Sequence, residues 1–132
     1  MTDRLPKTSL FDFGGSFFPS DSLVVFFDTE ADALEVRAEI NSLLPDAACE
    51  IFSPKKIDEW ATDGLENAGF VASLGYGIQI VAKHQELARQ GKWSIIAFAP
   101  SEEATEIAMS AVRKKRFYQA NKYNTVTVED LV

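Results

Sequence analysis

The stretch that decides the fold is SLVVFFDTEADALEVRAEI, running from Ser22 to Ile40. A looser copy, SIIAFAPSEEATEIAMSAV, runs from Ser94 to Val112. Ser22 aligns with Ser94, Phe26 with Phe98, Thr29 with Ser101 and Glu30 with Glu102, at a constant offset of 72 residues. Each copy opens on a short apolar run rich in Val, Ile and Phe, the composition of a buried strand. Each then places a hydroxyl residue before acids. Thr29 and Ser101 are therefore read as helix N-caps, their oxygens accepting from orphan amides of the first turn. The acids beside them suit the positive end of the helix dipole.

Both following segments have helical period. Ala33, Val36, Ile40, Leu43 and Leu44 fall on one face of the first, and Ala104, Ile107, Ala108, Ala111 and Val112 on one face of the second. Pro45 closes the first helix, and AACEIF from Ala47 reads as its return strand. FYQANKYN from Phe117 is the return strand of the second unit, followed by TVTVEDLV. Between the units lies a helical insert, residues 53–91. Ser53-Pro54 starts one helix ending near Gly64, and a longer, glycine-bearing helix runs from about Asn67 to Gly91. Two tandem strand–helix–strand units predict an α+β, ferredoxin-like domain over 22–132, with the strands from Leu23 and Ile95 adjacent at the sheet centre. An open α/β sheet with the long helix on the opposite face is the alternative.

The 132 residues suffice for one domain with its own core. A single cysteine, Cys49, excludes an intramolecular disulfide and fits a reducing compartment. MTDRLPKTSL lacks the apolar centre of a signal peptide, and LVVFF is far too short to span a bilayer. The expectation is a cytoplasmic protein that does not engage membranes. The net charge of −7 divides unevenly, −9 over residues 1–66 and +2 over 67–132. That balance opposes general binding to nucleic acid.

Chemistry-bearing residues are few. One histidine, His84, and one cysteine, 35 residues apart, make no metal motif, so neither a metal nor a cofactor is expected. Cys49 on a core strand reads as an inert buried thiol. His84 reads either as a packing or surface residue or as a ligand contact, with Tyr76 and Glu86 as the polar groups to suspect beside it. Arg113, Lys114, Lys115 and Arg116, with Lys122 nearby, form the basic cluster. Its cations suit a helix C-terminus. With Phe117, Tyr118 and Tyr123 interleaved, they also form a candidate anion or RNA contact. Asp28, Glu30, Asp32 and Glu35 follow the helix-start pattern and read as a solvated acidic face.

The N-terminal arm, residues 1–21, carries LFDFGGSFFP. Phe11, Phe13, Phe17 and Phe18 are too apolar to lie together in water, and patches of that kind mark interfaces. The arm is expected to cover a sheet face, in its own chain or in a partner.

GYGIQIVAKHQELARQGKWSIIAFAPSEEA and the closing YNTVTVEDL resemble small bacterial proteins related to general stress proteins. The resemblance covers about half the chain. It implies a ferredoxin-like fold and a stress-associated or regulatory role, and it carries no catalytic residue across. The leading expectation is a non-catalytic binding or regulatory domain that self-associates or docks on a protein. Two alternatives remain: a small-molecule enzyme of the dimeric α+β barrel type, with its pocket between sheet and insert helix, and an RNA or nucleotide binder using residues 113–116.

Overall fold

The computed structural model describes residues 20–66, 77–124 and 128–131. In chain order the elements are β1 (Ser22–Phe27), α1 (Glu30–Leu43), a 3-10 turn (Pro45–Ala47), β2 (Glu50–Phe52), α2 (Pro54–Glu66), α3 (Gly77–Arg89), β3 (Trp93–Phe98), α4 (Glu102–Val112), β4 (Phe117–Tyr123) and β5 (Val128–Asp130). The five strands form one sheet in the order β2-β3-β1-β4-β5, and every neighbouring pair is antiparallel. The protein is an α+β domain.

The sequence repeat explains the sheet centre. Ser22 pairs with Phe98 and Phe26 with Ser94, so each residue meets the repeat equivalent of its counterpart. Val24 pairs with Ile96, its own equivalent at the 72-residue offset. The two copies therefore face each other across Val24 and Ile96, and α1 and α4 pack side by side on one sheet face. Both caps form as the sequence implies. Asp32 N donates to Thr29 Oγ1 at 3.1 Å, and Ala104 N donates to Ser101 Oγ at 3.0 Å. Lys56 N donates to Ser53 Oγ at 3.2 Å, which starts α2 in the same way.

Alternation along β1 sends its residues into two cores. Leu23, Val25 and Phe27 pack with Ile95, Ala97, Ala33, Val36, Ile40, Ala108, Met109 and Val112 under α1 and α4. Val24, Phe26 and Ile96 pack with Ile57, Ile80, Leu87 and Ala88 under α2 and α3. Each fully buried Leu, Ile, Val or Phe contributes roughly 1.5–3 kcal/mol. The insert thus covers the second face of the sheet, as in the alternative arrangement.

Three expectations are corrected in detail. Leu43 is 48% exposed, because Leu44, after the helix end, takes the packing position instead. The strand expected from Ala47 is shorter. Pro45–Ala47 forms a 3-10 turn, Ala48 turns left-handed with φ 46°, and pairing begins at Glu50. Asn41 clamps this corner, its side chain accepting from Cys49 N at 2.8 Å and donating to Cys49 O at 3.0 Å. Gly64 does not end its helix. It lies on the buried stripe with Ile57 and Ala61, and α2 continues to Glu66. Of the longer insert helix, Gly77–Arg89 is described. It ends where Lys92 N bonds Leu87 O and Gly91 N bonds Ala88 O, with Gly91 at φ +87° supplying the left-handed turn.

Candidate functional site

Helical spacing puts Ile80, Val81, His84, Leu87 and Ala88 on the sheet-facing stripe of α3, with His84 at its centre and fully buried. β4 answers with polar residues. Gln119, Asn121 and Tyr123 alternate along the strand and share its α3-facing side. The irregularity in pairing between Val25 and Phe27 adjusts the register near Gln119. His84 Nε2 lies 2.8 Å from the Tyr123 hydroxyl, and Nδ1 lies 3.3 Å from Gln119 Oε1. One assignment satisfies all three groups: Nδ1–H donates to Gln119, and the Tyr123 O–H donates to Nε2. The Phe26 ring centroid lies 5.2 Å from that of the imidazole. Burial pushes the His84 pKa down to about 4, against the opposing pull of Gln119, so the ring is neutral at pH 7. Burial likewise pushes the Tyr123 phenol up.

Beside this pair, Asn121 is fully buried and its side-chain amide has no hydrogen-bond partner among the described residues. The same holds for the buried Ser94 hydroxyl. Each unsatisfied group costs about 1–3 kcal/mol.

Glu86 does not join His84. Two residues apart on a helix means opposite sides, and Glu86 is solvent-facing, bonded to Lys83 and Gln90. Tyr76 lies outside the described residues, as do Phe11, Phe13, Phe17 and Phe18. Cys49 and His84 lie on opposite faces of the sheet, so they form no pair. The Cys49 thiol is pushed up, chiefly by burial, and stays protonated.

The basic cluster finds carboxylates of the same chain. Arg113 bonds Glu106 at 2.8 Å, Lys114 bonds Glu39, and Lys115 bonds Glu35 at 2.6 Å with Asp32 at 3.9 Å. Arg116 lies over the Tyr118 ring at 5.8 Å. The acidic residues of α1 are therefore the counter-charge of the cluster just beyond α4, and this removes most of the argument for phosphate binding there. Asp28 belongs to the same rim. Hydrogen bonds from Tyr118 and then Lys92 hold its carboxyl below the usual range.

Lys122 departs from its sequence neighbours. It pairs with Leu23 on β4 and lines a cleft of about 590 Å³ between the first turn of α4 and β5, with Glu102, Glu103, Thr105, Glu106 and Glu129. The cluster lies at the other end of α4, whose 11 residues span about 16 Å. Lys122 is thus no part of it. Its side chain is 6% exposed, and it makes no ion pair or hydrogen bond among the described residues.

Gln119, Asn121 and Tyr123 were not singled out together by the sequence reading. Their i, i+2, i+4 spacing on one strand was the available signal. Among the described residues, no group of three His, Cys, Asp or Glu side chains converges to hold a metal ion, and no helix is long and apolar enough to cross a membrane. Comparison with known protein families, with curated proteins and with solved structures finds no match.

Proposed function

We propose that the protein is a non-catalytic binding domain of ferredoxin-like topology that engages another copy of itself or a protein partner through its Phe-rich N-terminal arm. The order β2-β3-β1-β4, with each crossover helix on the same face, supports the topology. The observation that carries the functional reading is that both faces of the sheet are covered by this chain's own helices. A sheet covered in this way leaves no bare face for Phe11, Phe13, Phe17 and Phe18 to bury, which supports a partner as the role of the arm. A stress-associated role is the biological setting that the family resemblance suggests for such a domain.

Native mass spectrometry of the full chain beside a variant of residues 20–132 tests this reading. The full chain is expected to appear as a dimer or larger species, and the shortened one as a monomer with unchanged melting temperature. The same assembly state for both chains, or a fold that melts earlier without the arm, would overturn it, the latter by assigning the arm to its own sheet.

An enzyme with its pocket between sheet and insert helix is the second reading. The perturbed pKa of His84 favours it. Against it, both ring nitrogens are already engaged.

A further inference from the structure

Lys122 opens into a cleft without meeting a counter-charge among the described residues. Its stem is buried, while its Nζ is not among the buried polar atoms that lack a partner, so the ammonium opens into the cleft. Carboxylates line the same cleft, yet none lies within 4.0 Å of its Nζ. Glu106 is already bonded to Arg113, while Glu102, Glu103 and Glu129 make no ion pair among the described residues. The cleft therefore holds one cation on a buried stem and three carboxylates that make no ion pair among the described residues. The positive end of the α4 dipole lies on the cation's side of this balance.

Each single-charge ligand fits half of that arrangement. A simple anion would satisfy Lys122 but meet three carboxylates. A simple cation would satisfy the carboxylates but leave Lys122 alone. A metal ion needs converging ligands, and the described carboxylates do not converge. We propose that the cleft binds a free amino acid with a basic side chain. Its α-carboxylate sits against Lys122 and the first turn of α4, and its two cationic groups face Glu102, Glu103 and Glu129. Such a ligand carries a net charge of +1, opposite in sign to the surplus of the cleft. The volume of about 590 Å³ falls within the range of small-molecule sites, about 300–1,000 Å³. The site lies on the α1/α4 side of the sheet.

The test is an isothermal and amide-NMR titration of the full chain with L-lysine, with cadaverine, which lacks the carboxylate, and with hexanoate, which lacks both amines. L-lysine is expected to bind and to shift the amides of Lys122 and Glu102. Cadaverine and hexanoate are each expected to bind at least about tenfold more weakly, the loss of a charge-assisted contact. Lys122→Met should weaken L-lysine about tenfold and leave cadaverine unchanged. Because Lys122 lies in a strand, the exposed pair Glu102→Gln and Glu129→Gln serves as a second variant, and it too should weaken L-lysine. Failure of L-lysine to bind, equal binding of cadaverine, or full binding by both variants would overturn the proposal.

Discussion

Under α1 and α4 the sheet meets Ala33, Val36, Ile40, Ala108, Met109 and Val112. Under α2 and α3 it meets Ile57, Ile80, Leu87 and Ala88, together with His84, which bonds Gln119 and Tyr123 of β4. The core of the first face is apolar, with Lys122 at its edge, and its other charges lie at the rim, where Lys115 and Lys114 reach the acids of α1. The second face has a polar seam at its centre. An apolar interface tolerates small adjustments of helix position, because dispersion and burial are not directional. A histidine held between a phenol and an amide is directional and fixes α3 against β4 in one register. The two faces also differ in origin. The first belongs to the repeated strand–helix–strand units, and the second to the insert that separates them.

The sharpest way to break the first face is Ile40→Ala. Ile40 is fully buried at the centre of that core, and its truncation should cost about 2–5 kcal/mol in urea unfolding. A loss under about 1 kcal/mol would mean that the α1 contact is looser than its burial implies.

The second face is tested by acid. His84 is neutral in the fold with a pKa near 4, whereas in the unfolded chain it titrates near 6.5. Between these values the unfolded state binds the extra proton, so stability is full above pH 6.5 and falls as the pH drops toward 4. The loss should be on the order of 3 kcal/mol. Asp28 and Glu106, whose carboxyls are held low, act below their ordinary values of 3.8 and 4.5, so the interval from 4.5 to 6.5 belongs to the histidine. In His84→Leu the slope across that interval should vanish. The same slope in both proteins would show that the imidazole is reached by water.

The smallest effect concerns the caps. Thr29→Ala and Ser101→Ala should each cost about 1 kcal/mol and match each other, since the two residues occupy equivalent places in the repeat. A large difference between them would show that the equivalence stops at the backbone.

How far the sequence could be read follows the same division. Strand β1, its partner β3, the two caps and the stripe of α1 were visible because they depend on local composition and period, and because the repeat states them twice. The helix that carries His84 is equally legible, but the sequence leaves open whether its ring is buried or at the surface. What the ring touches is not legible, since Tyr123 and Gln119 lie 39 and 35 residues away on a strand whose register no local pattern sets. Closeness in sequence misled in two places. Lys122 is near Arg113–Arg116 in sequence, although a helix length separates them, and Glu86 is near His84, although helical rotation turns them apart. The role of the acids in α1 as partners of the 113–116 cations required knowing that α1 and α4 are neighbours. The uneven charge of the two halves hinted at that mutual neutralisation without locating it.

The pairing of Val24 with Ile96 also sets the timing of folding. β1 is a central strand whose two neighbours, β3 and β4, both come late in the chain. On a ribosome adding about 5–20 residues per second, Leu23–Phe27 waits about 4–14 s for the residues 72 positions on. Throughout that interval LVVFF is an unpaired, uncharged, strongly β-forming segment, the kind that joins other nascent chains. Asp28, which follows it directly, and Asp21, separated from it by Ser22, are the charges placed to keep it apart until its partners are made.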